Sequence, residues 1–205
     1  MRLSRIYPIT DRTACVSHVE QVAAFARGGA TIIQIRDKVA TGRELYEIVV
    51  AAVAMARPLG AHVIVNDRVD VALAAGADGV HVGQDDLAAS DARALVGASR
   101  IVGVSTHSTE QARAASALPV DYVAVGPVFA TATKENPDPV IGLEVVSSAK
   151  AVVGTVPLVA IGGITIGNAS RVIASGADSV AVIADLWRGA GPEQRVAEYL
   201  AALGT

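Results

Sequence analysis

Short apolar runs rich in valine and isoleucine alternate along the chain with alanine-rich segments. Most of these runs are apolar on both faces, which is typical of parallel strands covered on both sides. The pattern predicts strands at Arg5–Thr10, Thr31–Arg36, His62–Asn66, Gly79–Val82, Ile101–Ser105, Tyr122–Val125, Pro157–Ile161 and Ser179–Ile183.

The segments between these runs have helical spacing. Gly29, Gly76 and Gly176 each follow such a segment, in the position where glycine commonly ends a helix. A Gly-Ala pair stands just before a strand at all three places, which indicates repeated helix-to-strand junctions rather than a solenoid repeat. Helices are predicted at Glu44–Ala56, Ala88–Val96, Glu110–Ala117, Leu143–Val153 and Gly167–Ser175.

Eight strands alternating with about eight helices predict an α/β fold, a closed (β/α)₈ or TIM barrel. We expect a single domain over residues 1–205, because no linker, proline-rich stretch or charge block divides the chain. The main alternative is an open doubly wound sheet. Such a sheet usually has fewer strands, and no G-x-G-x-x-G follows the first strand here.

Composition narrows the function classes. The chain is 52% hydrophobic and 18% charged, so it can bury a sizeable core. Its net charge of −3 argues against a nucleic-acid surface, and any anion site must therefore be local. No apolar run approaches the ~18–20 residues that span a bilayer, and the first ten residues lack signal-peptide features. With Cys15 as the single cysteine, we expect a cytoplasmic protein whose oligomeric state is open, a homo-oligomer included.

Candidate chemistry is concentrated in the segment Thr31–Lys38, TIIQIRDK. Side chains alternate along a strand, so Gln34, Arg36 and Lys38 share one face. Two cations at the end of a buried strand suit an anionic ligand, since arginine can hold phosphate with two hydrogen bonds. The alternative is a solvated rim on which Asp37 and other carboxylates pair with these cations.

Polar residues cluster after the other strands as well, where a barrel of this kind builds its active site. Asp67 and Asp86 are candidate Mg²⁺ ligands, because Mg²⁺ prefers one or two carboxylates with substrate phosphates and water. The alternatives are that one of them caps the following helix, or that Asp85 replaces Asp86. Candidate hydrogen-bond donors to a phosphate follow strands six to eight: Thr131, Thr133, Lys134, Gly163 and the Ile183-Ala184 amides.

The remaining reactive residues receive structural interpretations. His107 has the chemistry of a general acid or base, but we favour a hydrogen-bonding role for it. His81 is expected to be buried and hydrogen-bonded. Cys15 has no paired histidine motif, and Trp187 is expected to pack in the core.

Taken together, QIRDK, ND, HVGQDD, GVSTHS, GPVFATATK, GL and AIGGI occur in an order and spacing that closely resemble the thiamine-phosphate synthase family. The resemblance covers nearly the whole chain. It implies a (β/α)₈ barrel that joins hydroxymethylpyrimidine diphosphate to hydroxyethylthiazole phosphate, with thiamine phosphate and diphosphate as products. The family is understood to react dissociatively, so that diphosphate leaves before the thiazole nitrogen attacks.

The resemblance also assigns residues. Two aspartates, Asp67 and Asp86, would hold Mg²⁺, and Thr131, Ala132, Thr133, Gly163, Ile183 and Ala184 would bind the thiazole phosphate. Ala184 departs from the serine of many relatives, which matters only if the contact is made by a hydroxyl. The pyrimidine diphosphate would be bound by Gln34, Arg36, Lys38, Asn66, Ser105 and Lys134, of which Arg36, Lys38, Ser105 and Lys134 are expected to be catalytic.

Two other functions compete with this one. A thiazole tautomerase of similar sequence and the same fold would use His107 for proton transfer, but it needs no magnesium-diphosphate grip. A non-catalytic binder of thiamine precursors would keep phosphate affinity without turnover. We expect small-molecule substrates, with neither nucleic acid nor a membrane as a partner.

Overall fold

The computed structural model describes residues 3–131 and 139–204, and it contains the predicted alternation of strands and helices. In these ranges each strand is followed by a helix before the next strand begins. The strands are β1 (Ile6–Pro8), β2 (Ile32–Ile35), β3 (His62–Asn66), β4 (Gly79–Val82), β5 (Ile101–Thr106), β6 (Tyr122–Val125), β7 (Leu158–Ile161) and β8 (Ser179–Val182).

The helices surround this sheet. Capping boxes start the first two: Ser17 with Glu20, and Thr41 with Glu44, each satisfy amides that a helix start leaves unpaired. The α-helices are α1 (His18–Arg27), α2 (Gly42–Ala56), α3 (Val69–Ala74), α4 (Ala89–Val96), α5 (Thr109–Ser116), α6 (Gly142–Val153), α7 (Ile166–Ala174) and α8 (Pro192–Leu203), with short 3₁₀ turns at Arg57–Leu59 and Ala184–Trp187.

All strand pairs are parallel, and each strand from β2 to β8 lies beside its neighbours in sequence. β1 pairs with β8, with Ile6 opposite Val180. On its other side, a single bridge between Ile9 and Gln34 joins the end of β1 to β2, and the amide of Thr10 donates to the Gln34 carbonyl at 2.9 Å. The closed barrel is thus confirmed, and the open sheet is wrong.

β1 is shorter than predicted, because only Ile6–Pro8 form the regular strand. Pro8 has no amide hydrogen and leaves one bond of the ladder unmade, and beyond it only the amides of Ile9 and Thr10 continue the pairing, to Val182 and Gln34. β2 likewise ends at Ile35 rather than Arg36, whereas β5 continues one residue further, to Thr106.

Two apolar cores hold the barrel together. One lies between the strands and the helices and includes Phe25, against whose ring Trp187 packs edge-on at 6.4 Å. The smaller core fills the barrel interior and includes Ile32, Ile64 and Tyr122. Gly103 makes room for the Tyr122 ring, since a Cβ there would overlap it.

The junctions and outlying residues agree with the sequence interpretation. Gly29, Gly76 and Gly176 have positive φ values of 100°, 68° and 106°, which glycine adopts without strain. Cys15 is exposed. In the part of the chain that the structure describes, no helix combines the length and the apolar character needed to cross a membrane.

Candidate active site

A cavity of about 780 Å³ opens where the carboxyl ends of the strands meet. Three of the expected site residues, Ala132, Thr133 and Lys134, lie outside the described residues. All the others line this one cavity: Gln34, Arg36, Lys38, Asn66, Asp67, Asp86, Ser105, Thr131, Gly163, Ile183 and Ala184.

The end of β2 carries the cationic side of the cavity. Gln34 is buried inside the barrel, and Arg36 and Lys38 follow it toward the opening. Lys38 Nζ lies 3.0 Å from Asp67 Oδ2, in an ion pair that itself faces the cavity. Within the described ranges no carboxylate neutralises the guanidinium of Arg36. An unpaired arginine and a lysine at the mouth favour an anionic ligand over a neutralised rim.

Asp37 does not pair with these cations, contrary to that part of the rim alternative, although another carboxylate, that of Asp67, does pair with Lys38. Its carboxylate accepts hydrogen bonds from the amides of Val39 and Ala40, both at 2.9 Å, and contacts Arg12 and His18. Burial alone would raise the pKa of Asp37, but these donors together lower it to about 2. Asp37 therefore holds the β2–α2 loop in shape and leaves its neighbours aimed at the cavity.

Asp67 and Asp86 form an acidic pair from neighbouring strand ends. Burial raises the pKa of Asp67, Lys38 lowers it, and the adjacent Asp86 carboxylate raises it further. Asp86 also accepts the Gly83 amide at 2.7 Å. Neither aspartate is the residue that precedes a helix, because α3 begins after Arg68 and α4 after Ala88. A partly buried carboxylate beside an exposed one fits a hard divalent cation that keeps water and phosphate ligands.

Beneath the cavity, a chain of buried hydrogen bonds crosses the barrel. Gln34 Nε2 lies 3.1 Å from the Tyr7 hydroxyl, which lies 2.9 Å from that of Tyr122. The Tyr122 hydroxyl lies 2.9 Å from His81 Nδ1, and His81 Nε2 lies 2.8 Å from Ser105 Oγ. Both ends of this hydrogen-bond chain, Gln34 and Ser105, line the cavity, as do Tyr7 and His81, whereas Tyr122 does not.

The two histidines have the environments expected from the sequence. Burial lowers the pKa of His81 to about 4, so its ring is neutral at pH 7. His107 Nδ1 lies 2.7 Å from the Gly126 carbonyl oxygen, and its amide donates to Gln111 Oε1 at 2.6 Å. His107 thus makes the hydrogen bonds expected of it, although its ring also lines the cavity.

On the opposite wall, glycines form a cup at the ends of β7 and β8. Gly162 and Gly163 have φ values of 103° and 61°, and a Cβ at Gly163 would overlap the Ala130 carbonyl. Only glycine therefore lets the backbone pass this close. Ile183 and Ala184 lie beside them, where the 3₁₀ turn begins. Backbone amides at such turns typically donate hydrogen bonds to a bound phosphate.

Asp185 is a structural part of this cup that the sequence interpretation missed. Its carboxylate is 4% exposed, and Oδ2 accepts from the Ile166 amide at 3.1 Å and the Tyr199 hydroxyl at 2.8 Å. Arg195 pairs with it at 3.2 Å. It thereby ties the start of α7 to the turn after β8 and to α8. The only sequence signal was an aspartate immediately after a strand end.

The fold and the site together define a (β/α)₈-barrel enzyme whose mouth is suited to phosphorylated substrates. The model of the family described as thiamine monophosphate synthase matches residues 6–186. The chain belongs to this family, whose members are transferases.

Individual relatives agree. A thiamine-phosphate synthase of Koribacter versatilis is 45% identical over 210 residues, covering 99% of this chain and 97% of that protein. One from Chlorobium limicola is 48% identical over 176 residues, or 86% and 83% of the two chains. The structure of a Pyrococcus furiosus thiamine phosphate pyrophosphorylase is 37% identical, with a TM-score of 0.88 over 98% of this chain and 96% of that one.

Proposed function

We propose that this chain condenses hydroxymethylpyrimidine diphosphate with hydroxyethylthiazole phosphate to give thiamine phosphate and diphosphate. One observation carries the proposal: the cationic strand end, the acidic pair and the glycine cup face a single cavity. A reaction that joins a diphosphate to a phosphate ester needs two anion sites on either side of one reaction centre. The cavity offers both.

The pyrimidine diphosphate would lie against β2, β3 and β5. Arg36 and Lys38 would hold the diphosphate oxygens, one through a planar fork and the other as a point charge. Gln34, Asn66 and Ser105 would provide the neutral hydrogen bonds that orient the pyrimidine and its leaving group. Lys134, which lies outside the described residues, is proposed to add a third cation.

Asp67 and Asp86 would hold Mg²⁺. The bound ion would supply positive charge to the diphosphate oxygens. The donor set suits this ion, since Mg²⁺ is usually held by one or two carboxylates together with substrate phosphates and water. The Lys38 ammonium would offset part of the effect of burial, which raises the pKa of Asp67.

The thiazole phosphate would occupy the cup formed by Gly163 and the Ile183-Ala184 amides, with Thr131 and Thr133 adding hydroxyls and Ala132 an amide. In this arrangement Ala184 serves as well as serine, because the backbone amide makes the contact. The cup would fix the distance between the thiazole nitrogen and the carbon that bears the diphosphate.

The chain's own residues account for the proposed dissociative order. When the bond between carbon and diphosphate oxygen breaks, negative charge grows on oxygens that Arg36 and Lys38 already hold. Their stabilisation therefore increases toward the transition state. No side chain has to act as a nucleophile, because the thiazole nitrogen attacks the cationic pyrimidine methylene.

The test is a diphosphate-release assay with Asp67→Ala. We expect diphosphate release to need both substrates and Mg²⁺. We expect the rate of release to fall about 100-fold in the variant, since one of the two proposed metal ligands is removed. Asp70→Ala is the matched control, because Asp70 is an exposed acid in α3 that pairs with Arg68, the residue just before that helix. Unchanged turnover of Asp67→Ala with Mg²⁺ chelated would refute the metal assignment.

The two competing functions predict other outcomes in the same assay. A tautomerase would isomerise the thiazole carboxylate phosphate and release no diphosphate. A non-catalytic binder would retain both ligands without product. The cationic strand end with its acidic pair favours the synthase over the tautomerase, which has no use for a diphosphate grip. Turnover in this assay separates the synthase from the non-catalytic binder.

A further inference from the structure

The buried hydrogen-bond chain is longer than substrate contact requires. Only its ends, Gln34 and Ser105, are proposed to touch substrate, whereas Tyr7, Tyr122 and His81 connect them across the barrel. Both tyrosines are fully buried, with exposed fractions of 1% and 0%. Phenylalanine would fill the same volume without needing hydrogen-bond partners. Their hydroxyl groups therefore call for an explanation other than packing.

The donors in this chain can be ordered one after another. Gln34 Nε2 is a donor only, so the Tyr7 oxygen accepts from it and the Tyr7 hydrogen points to Tyr122. The Tyr122 hydrogen is then directed at His81 Nδ1. A neutral imidazole that accepts at Nδ1 carries its hydrogen on Nε2, and that hydrogen goes to Ser105 Oγ.

The opposite order leaves a buried donor without an acceptor. If Ser105 donated to His81, then His81 would donate to Tyr122 and Tyr122 to Tyr7. The Tyr7 oxygen would then accept two hydrogen bonds, while its own hydroxyl hydrogen would have no acceptor among these five side chains. Leaving a buried donor unsatisfied is costly, so the first order is preferred.

We propose that Tyr7, Tyr122 and His81 are positioning residues that make the Ser105 hydroxyl a hydrogen-bond donor toward the cavity and hold the Gln34 side-chain oxygen there as an acceptor. This rests on the proposed function, in which the leaving diphosphate is an acceptor near Ser105. Gln84 supports the same serine from the other side, since its Nε2 donates to the Ser105 carbonyl at 2.6 Å. Both the position of Ser105 and the direction of its hydroxyl hydrogen are thus fixed.

The first test is the tautomer of His81, read from long-range ¹H–¹⁵N spectra of the ¹⁵N-histidine-labelled protein. Among the four histidines, the signals of His81 are identified by their absence in His81→Gln. We expect a single Nε2–H tautomer in the unmodified protein. We expect a mixture of tautomers in Tyr122→Phe, where Nδ1 loses its donor. A single Nδ1–H tautomer in the unmodified protein would overturn the inference, and no assay of turnover enters this result.

The second test is a double-mutant cycle between Tyr122→Phe and Ser105→Ala. Tyr122→Phe should lower kcat about tenfold, as expected when one oriented hydrogen bond is lost. In the Ser105→Ala background, the same change should have less than about a twofold effect, because its target is gone. Equal effects in both backgrounds would overturn the inference.

A control separates positioning from stability. Ile32→Val removes one methyl group from the same interior core but touches none of the hydrogen bonds. Its kcat should stay within about twofold of the unmodified enzyme. If Ser105→Ala keeps full activity, the proposed role of Ser105 in the reaction fails, whereas the tautomer result stands. The two failures are therefore distinguishable.

Discussion

Asp37→Ala tests whether the loop between β2 and α2 is held by a single carboxylate. The substitution removes the acceptor of the Val39 and Ala40 amides and of the His18 ring, each worth about 1 kcal/mol net. The pair with Arg12 adds little, because that side chain is 53% exposed. We therefore expect the free energy of unfolding to fall by about 3 kcal/mol.

The assay is urea unfolding at pH 7, followed by kinetics with the pyrimidine diphosphate. Asp37→Asn is the matched variant, since it keeps an oxygen for the two amides and should lose only about 1 kcal/mol. Because Asp37 stands between Arg36 and Lys38, we also expect the alanine variant to raise KM. Equal stability of the two variants, or a loss below about 0.5 kcal/mol in Asp37→Ala, would refute the reasoning.

Three further changes test the interior and the cavity. Gly103→Ala should lower the free energy of unfolding in urea by about 3 kcal/mol, because the added Cβ overlaps the Tyr122 ring. Gly167→Ala is the control and should be neutral, because its Cβ meets only one atom, at 3.8 Å. Equal unfolding midpoints of the two variants would contradict this reasoning. Lowering the pH from 6.5 to about 4 should remove about 3 kcal/mol of stability, because the unfolded chain protonates His81 and the folded chain does not. His81→Gln should flatten that dependence, and an unchanged slope would argue against it. His107→Ala should keep kcat within about tenfold in the diphosphate assay, whereas a near-total loss would favour the tautomerase.

The barrel was predictable because its strands are buried on both faces. Runs of valine and isoleucine bounded by glycine indicated the strands within a residue or two, and the Gly-Ala pairs marked where helices end. The bounds of β1 were wrong because the apolar pattern continues through Ile9 and Thr10, whereas the regular ladder stops at Pro8. Hydrogen bonding ended the strand, not hydrophobicity.

The cavity was predictable for a similar reason, since parallel strands bring all their carboxyl ends to one edge. What the sequence could not supply was pairing across the barrel. Tyr7 and Tyr122 read as ordinary apolar residues of separate strands, and their contact depends on the tilt and closure of the sheet. The partners of Asp37 and Asp185 likewise lie in distant segments that only the folded chain brings near.

Asp67 has a φ of 63°, in the left-handed region that glycine, asparagine and aspartate tolerate better than most other residues. Selection for folding alone would therefore accept glycine or asparagine at this position as readily as aspartate. A descendant that no longer needed the reaction should lose this carboxylate early, while its barrel persists. Glycine or asparagine at this position in a homologue would then indicate that the homologue has lost the catalytic activity.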